Sequence, residues 1–234
     1  IDLTLSNQRY AWILPRSREF VSPHGCFAPE SPWTDLLCAR VEEFLRLYPV
    51  DWLLFDSFVY GSMKPDFPIQ PARYVKRPFE EIIGRAMPER ADQITPAEGL
   101  KYKRAVMARQ FHRIRDTVRK TSPGTRICFN GPYWKAGEEL WADHPMMAES
   151  DLLFAESTDE VVSWLLDVRK PHQRVMTTVI GRVDGSSDPN TWRKWHRKGC
   201  DFFGYAFGTP PDFRPHPSYR GDLEVIRRAF REMQ

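Results

Sequence analysis

The chain has 234 residues, of which 41% are hydrophobic and 28% charged, enough for one large globular domain with its own core. Its 34 basic and 31 acidic residues leave a net charge of +3, too small and too evenly mixed to indicate a nucleic-acid surface. No apolar run reaches the roughly 18 residues of a membrane span. We therefore expect neither nucleic acid nor a membrane as a partner.

The first predicted elements are a helix and a strand. Residues 34–48 (TDLLCARVEEFLRLY) place Leu37, Val41 and Leu45 on one helical face. Residues 51–56 (DWLLFD) form an apolar run between two aspartates, which predicts a strand buried on both faces. The chain then makes a long, proline-rich excursion at 59–98, which predicts an ordered lid or wall.

From residue 97 onward, predicted helices and strands alternate. A long amphipathic helix is expected at 97–120, and its basic residues are interpreted as a solvated face. Four more apolar runs, at 126–131, 151–157, 174–181 and 201–208, begin roughly 25 residues apart, the length of a strand, a helix and two loops.

The helices between these runs have recognisable ends. Ser157 and Glu160 stand at capping-box spacing before the helix that follows the third run. In residues 188–199, Asp188 is the expected N-cap, Pro189 the first helical residue and Gly199 the stop. A last helix is predicted at 219–232.

This alternation predicts an α/β fold with parallel strands and right-handed crossovers. The pattern alone leaves open a closed barrel or an open, doubly wound sheet. No G-x-G-x-x-G follows any predicted strand, which counts against a dinucleotide-binding sheet.

Polar and aromatic residues stand just after each apolar run, where parallel folds place their sites at the carboxyl ends of the strands. These candidates are Asp56, Tyr60, Asn130, Tyr133, Trp134, Glu156, Arg182, Asp184, Tyr205 and Asp212. Two carboxylates suit glycoside cleavage, one ionised to attack the sugar and one protonated to release the leaving group. Aromatic faces suit a pyranose ring, and the other polar groups suit its hydroxyls. The alternative is structural, with carboxylates capping helices, Asn130 in a turn and Trp134 in the core.

Other chemistries find less support in the sequence. The six histidines show no H-x-H or H-E-x-x-H spacing, so structural or surface roles are expected for them and no metal site is predicted. The four cysteines, Cys26, Cys38, Cys128 and Cys200, form no C-x-x-C pair, which favours buried free thiols. Free thiols favour a cytoplasmic location, with a leader removed ahead of residue 1 as the alternative. No cofactor is predicted.

Taken in order, CFAPESPW, a helix, YPVDWLLFDSF, a helix ending TSPGTRICFNG, and DLLFAES resemble the C-terminal two-thirds of barrel glycoside hydrolases of the α-L-fucosidase-like and related hypothetical glycosyl hydrolase groups. The resemblance covers roughly residues 20–208. It implies a (β/α)8 TIM-barrel catalytic domain spanning 1–234, with Asp56 matching the strand-four nucleophile. Glu156 lies near the position where some members keep the acid/base.

The resemblance also has departures. Trp52 stands where a glycine is usual, and the histidine-rich pocket of true α-L-fucosidases is not visible. Only about 50 residues precede the strand at 51–56, too few for three βα units of a barrel of roughly 250 residues. Either the first barrel strands lie outside this chain, or an open sheet is covered by another subunit.

The sequence therefore predicts a retaining glycoside hydrolase with a carbohydrate substrate. A degenerate barrel that binds a carbohydrate or other ligand without turnover is the alternative. A third hypothesis is an assembly role, with the 59–98 excursion at a homo-oligomer interface.

Overall fold

A computed structural model describes residues 30, 32–55, 74–130, 139, 141–155, 159–179, 189–204, 208–209, 214–215, 227–228 and 230–231. They fall into two compact units, the first ending at Ser150 and the second beginning at Asp151. Each unit contains parallel strands and helices. One catalytic domain over residues 1–234 stays a prediction.

The first unit contains, in order, α1 (Trp33–Leu47), β1 (Trp52–Phe55), α2 (Lys76–Ile83), a 3₁₀ turn (Ala91–Gln93), α3 (Pro96–Thr121), β2 (Arg126–Asn130) and α4 (Pro145–Glu149). The second contains β3 (Leu152–Ala155), α5 (Asp159–Val168), β4 (Arg174–Val179), α6 (Pro189–Arg197), β5 (Cys200–Gly204), β6 (Gly208–Thr209) and β7 (Arg214–Pro215). Residues 227, 228, 230 and 231 are also helical. The predicted alternation of helix and strand is confirmed.

Within each unit the main strands pair in parallel. In the first unit Trp52 of β1 lies opposite Arg126 of β2. In the second unit β4 pairs with both β3 and β5, so that Val175 lies opposite Leu153 on one side and Cys200 on the other. The mixed α/β fold with parallel strands is confirmed, whereas a closed (β/α)8 barrel stays a prediction.

The core of the first unit is built around α3. Apolar residues at helical spacing on α3, among them Val106, Phe111 and Ile114, are buried. Helix α1 packs against α3, where the Gln110 amide donates a buried hydrogen bond of 3.0 Å to the Thr34 hydroxyl. This bond pairs two buried polar groups, which would lower the stability of the folded chain if they were left without partners.

A capping box begins α3. Thr95 Oγ1 accepts from the Glu98 backbone N–H, and Glu98 Oε2 accepts from the Thr95 backbone N–H at 2.9 Å. Arg85 holds the same carboxylate with two hydrogen bonds of 2.6 and 2.8 Å. These bonds, the Arg85 one first, lower the pKa of Glu98 to about 2. The described part of the predicted 59–98 excursion, residues 74–98, contains α2 and the 3₁₀ turn, and α2 packs beside α3. A lid or wall stays a prediction.

Strand β1 departs from the prediction that its run is buried on both faces. Its Leu54 is 42% exposed, whereas Ile127, Cys128 and Phe129 of β2 are each at most 2% exposed. Among the described residues of this unit, β1 pairs with a strand on one side only, which leaves its outer side less covered.

In the second unit Gly199 ends the α6 segment, as predicted. Its φ of +82° lies in the left-handed region, which glycine adopts without steric cost. Arg169 Nη1 donates to the Gly199 carbonyl at 3.0 Å and Nη2 to the Lys198 carbonyl at 3.1 Å. A Cβ on Gly199 would lie 3.2 Å from Arg169 Nη2.

We expect Gly199→Ala to lower the free energy of unfolding by about 1–2 kcal/mol, because alanine strains this backbone and pushes on Arg169. Urea denaturation measures the change. Gly124→Ala is the matched control, since a Cβ there meets no atom within 4 Å. Equal effects of the two substitutions would contradict the strain argument.

The described thiols agree with the sequence prediction. Cys38, Cys128 and Cys200 are free. Burial raises the pKa of the Cys128 thiol and raises that of Cys200 to about 12, so both stay protonated at neutral pH. Cys26 lies outside the described residues. Within the described ranges, no helix has the length and apolar character needed to cross a membrane.

Candidate active site

Four of the seven described strands end at or directly before a candidate site residue, and β4 ends at Val179, three residues before Arg182. Strand β1 ends at Phe55, directly before Asp56, and β2 ends at Asn130 itself. Strand β3 ends directly before Glu156, and β5 directly before Tyr205. Because the strands of each unit are parallel, their carboxyl ends point to the same edge of that unit.

Most of the candidate side chains lie outside the described residues, and of Asn130 the structure describes the backbone alone. The candidates outside the described residues are Asp56, Tyr60, Tyr133, Trp134, Glu156, Arg182, Asp184, Tyr205 and Asp212. Their roles stay predictions, and the described residues show the elements that lead to them.

Aromatic packing supports the carboxyl ends of β1 and β2. The Phe55 and Phe129 rings stack with centroids 4.9 Å apart and planes 15° apart. On the helix side, Phe129 meets Phe111 of α3 edge-on at 5.1 Å, a favourable geometry for two aromatic rings. The residues just before Asp56 and Asn130 are therefore held by well-packed rings.

The register separates the two faces of this strand pair. Phe55 and Phe129 are opposite each other, and the Phe111 contact shows that their face is the one covered by α3. Trp52 lies opposite Arg126, whose guanidinium sits 5.0 Å from the Trp52 ring centroid. Since side chains alternate along a strand, Trp52 and Arg126 belong to the other face.

The second unit has the same division. Phe202 of β5 contacts His196 of α6, with ring centroids 6.4 Å apart, and Phe230 at 6.3 Å. The opposite face carries Arg174, which forms a 2.5 Å ion pair with Asp201. The helix-covered face is thus identified in both units.

Helix α5 begins three residues after Glu156 and is tied to α6 at its first residue. The Asp159 carboxylate accepts from Trp195 Nε1 at 2.6 Å and from Lys194 Nζ at 2.9 Å. These bonds, that from Lys194 first, lower the pKa of Asp159. A carboxylate at a helix N-terminus is also stabilised by the helix dipole.

Sequence reasoning missed a polar clamp that holds the segment after β2. Arg104 of α3 donates to the Ala142 carbonyl at 2.8 Å and also to the Glu139 carbonyl. His144, fully buried, donates from Nε2 to the Arg104 carbonyl at 3.0 Å, while its Nδ1 accepts from the Met146 backbone N–H at 3.1 Å. The sequence contained one signal of this clamp, which is Pro145 at the first position of a short helix.

The clamp makes His144 structural, as the absence of metal spacing predicts. Burial lowers the pKa of His144 to about 4, so the ring is neutral at pH 7. His112, half-exposed on α3, pairs with Glu149 at 3.2 Å. Among the described side chains, no group of three or more His, Cys, Asp or Glu is arranged to hold a metal ion.

The comparisons with known proteins show a likeness in fold. No family model matches the chain, and no curated protein matches it in sequence. Among solved structures, the chain is similar to alpha-L-fucosidase isoenzyme 2 from Paenibacillus thiaminolyticus, with a TM-score of 0.62 and 18% identity. The match covers 98% of this chain and 35% of the fucosidase chain. The chain therefore has a fold like that of about one third of a glycoside hydrolase.

Proposed function

We propose that the chain is a glycoside hydrolase, or the catalytic part of one, built on a (β/α)8 barrel. The observation that carries the proposal is that two acidic residues directly follow the strands β1 and β3 in a chain whose fold is similar to a fucosidase over 98% of its length. Fold alone does not imply function, so the proposal depends on these residues.

Strand alternation supports the choice of carboxylates. Asp56 is two residues beyond Leu54, and Leu54 is on the face of β1 opposite the Phe55–Phe129 stack. Phe154 of β3 lies opposite Met176 of β4. Thr177, the next residue after Met176, lies opposite Phe202 on the helix-covered face, so Met176 and Phe154 are on the other face. Glu156 stands two residues beyond Phe154. If the alternation continues by one residue, both carboxylates leave the strands on the side away from the helices. In a barrel that side is the interior, where the active site lies.

In the proposed reaction, ionised Asp56 attacks the anomeric carbon and Glu156 protonates the leaving oxygen. Water then hydrolyses the glycosyl–Asp56 intermediate, with Glu156 acting as base. The substrate-binding residues proposed around them are Tyr60, Asn130, Tyr133, Trp134, Arg182, Asp184, Tyr205 and Asp212. A retaining mechanism requires the two carboxyl groups to be about 5–5.5 Å apart, and inversion about 6.5–9.5 Å.

A panel of nitrophenyl glycosides, including α-L-fucoside, tests the proposal. We expect nitrophenol release with one sugar, and proton NMR of the first-formed product should show the same anomer as the substrate. Sugar binding by calorimetry without hydrolysis of any glycoside would favour a non-catalytic carbohydrate-binding protein. A product of inverted configuration would contradict the nucleophilic role of Asp56.

Glu156→Gln tests the acid role of Glu156 separately from the nucleophilic role of Asp56. We expect it to slow glycosides with alkyl leaving groups far more than nitrophenyl glycosides, because nitrophenolate departs without a proton. The comparison of kcat/KM between the two substrate types gives the result. Glu160→Gln, on the exposed side of α5, is the matched control and should leave both values unchanged.

A further inference from the structure

A patch of positive charge lies at the amino ends of β4 and β5. Residues 167–174 and 197–201 contain five basic residues against two aspartates, a net of +3, which equals the net charge of the whole chain. All other residues together are therefore neutral. We call this surface the basic face, and its basic members are Arg169, Lys170, Arg174, Arg197 and Lys198.

Hydrogen bonds join the two loops of the basic face into one rigid surface. Arg169, from the loop before β4, donates to the carbonyls of Lys198 and Gly199, in the loop before β5. The first loop is closed by Gln173, which donates from its backbone N–H to the Lys170 carbonyl and accepts from the Lys170 N–H, both at 2.9 Å. A surface that is already ordered loses little entropy on binding a partner.

Several cations on this surface face solvent. Lys170, Arg197 and Lys198 are exposed, and the described residues show no ion pair for them, whereas Arg174 pairs with Asp201. Like charges on one surface repel one another, and an anionic partner relieves the repulsion.

The composition of the basic face indicates which anion it suits. Val168 is 46% exposed and Pro171 is exposed beside the cations, which gives an apolar spot with a charged rim, as in protein interfaces. Trp192 and Trp195 are 4% and 6% exposed, so neither indole offers the aromatic surface on which single-stranded nucleic acids stack.

We propose that the basic face is a docking surface for an acidic peptide segment of a partner protein. It lies at the amino ends of the strands, so β4, six residues long, separates it from the carboxyl ends by roughly 20 Å. Docking there is independent of the proposed glycosidase chemistry and leaves the candidate active site open.

Fluorescence anisotropy with a fluorescein-labelled peptide of alternating glutamate and leucine tests the proposal. We expect saturable binding at low salt that weakens as salt rises. Lys170→Gln, Arg197→Gln and Lys198→Gln in one chain should raise Kd about tenfold, since three charge contacts are lost. The control replaces Lys101, Arg119 and Lys120, all exposed on α3, by glutamine and should leave Kd unchanged.

Three outcomes would overturn the proposal. If the two triple variants weaken peptide binding equally, the peptide is attracted to the net charge of the chain alone. Tighter binding of a single-stranded oligonucleotide of the same charge would show a nucleic-acid surface. The absence of peptide binding to a folded chain, with folding checked by circular dichroism, would show a solvated face.

Discussion

Asp56→Asn is expected to lower kcat/KM for the hydrolysed glycoside on the order of 10⁴-fold, the scale on which removal of a nucleophile or its partner carboxylate reduces catalysis. An amide cannot form the glycosyl–enzyme bond, yet it is nearly the same size as the carboxylate and keeps substrate contacts. We therefore expect the loss in kcat, with KM changed little. Initial-rate kinetics on the best substrate of the glycoside panel measures both.

Asp51→Asn is the control for this substitution, because Asp51 precedes β1 as Asp56 follows it. Asp51 is exposed, and its backbone carbonyl, which the substitution keeps, accepts from the Arg126 N–H at 2.9 Å. Activity of Asp51→Asn should equal that of the native chain.

In Asp56→Gly, added azide should restore turnover by attacking the anomeric carbon and forming a glycosyl azide. Native activity in Asp56→Asn would remove the proposed nucleophile.

His144→Asn is expected to change the pH dependence of stability. The folded pKa of His144 is about 4, below the ordinary value of about 6.5, so the unfolded chain binds a proton that the folded chain rejects. The contribution of His144 is complete above pH 6.5 and is lost as pH falls through the folded pKa. The loss is about 3 kcal/mol over this interval.

The geometry explains why the folded protein rejects this proton. A proton on Nδ1 would face the Met146 N–H, which now donates to that atom, and would place a charge in a buried site. Burial lowers the pKa of His144 most, the hydrogen bond to the Arg104 carbonyl raises it, and the charges of Arg104 and His112 lower it further. Asparagine can accept from the same backbone N–H as an ordinary N-cap, but it does not titrate. It also loses the hydrogen bond to the Arg104 carbonyl, at a cost of about 1–2 kcal/mol at pH 7.

Urea denaturation between pH 7 and 4 tests this prediction. Between pH 7 and 4 the stability of His144→Asn relative to the native chain should rise by about 3 kcal/mol, which turns a deficit of about 1–2 kcal/mol into an advantage of about 1–2 kcal/mol. His172→Asn, in the exposed loop before β4, should follow the native pH profile. The capping carboxylate Glu98 does not obscure the result. Its pKa is about 2, so the stability that ionised Glu98 contributes is lost between about pH 4.5 and 2. If the difference in free energy of unfolding between His144→Asn and the native chain stays constant from pH 7 to 4, His144 is not neutral and buried in the folded chain.

Local pattern was sufficient for most elements. The repeat of Val41 and Leu45 predicted α1, and Pro189 with Gly199 predicted the bounds of the α6 segment, because these signals act within a few residues of the chain. The short helix α4 was missed, since His144 is not a usual cap and its role depends on Arg104, 40 residues earlier. Burial of β1 was overestimated because an apolar run does not show which neighbours cover Leu54.

The sequence by itself determined the order of helices and strands, and with it the strand ends at which Asp56 and Glu156 follow. That information is local, because periodicity and caps depend on near neighbours. Only the tertiary structure decided which strand face the helices cover, that Arg104 and His144 clamp each other, and that Arg169 joins two basic loops. Those features join residues far apart in the chain, and no local pattern records which distant groups pack together.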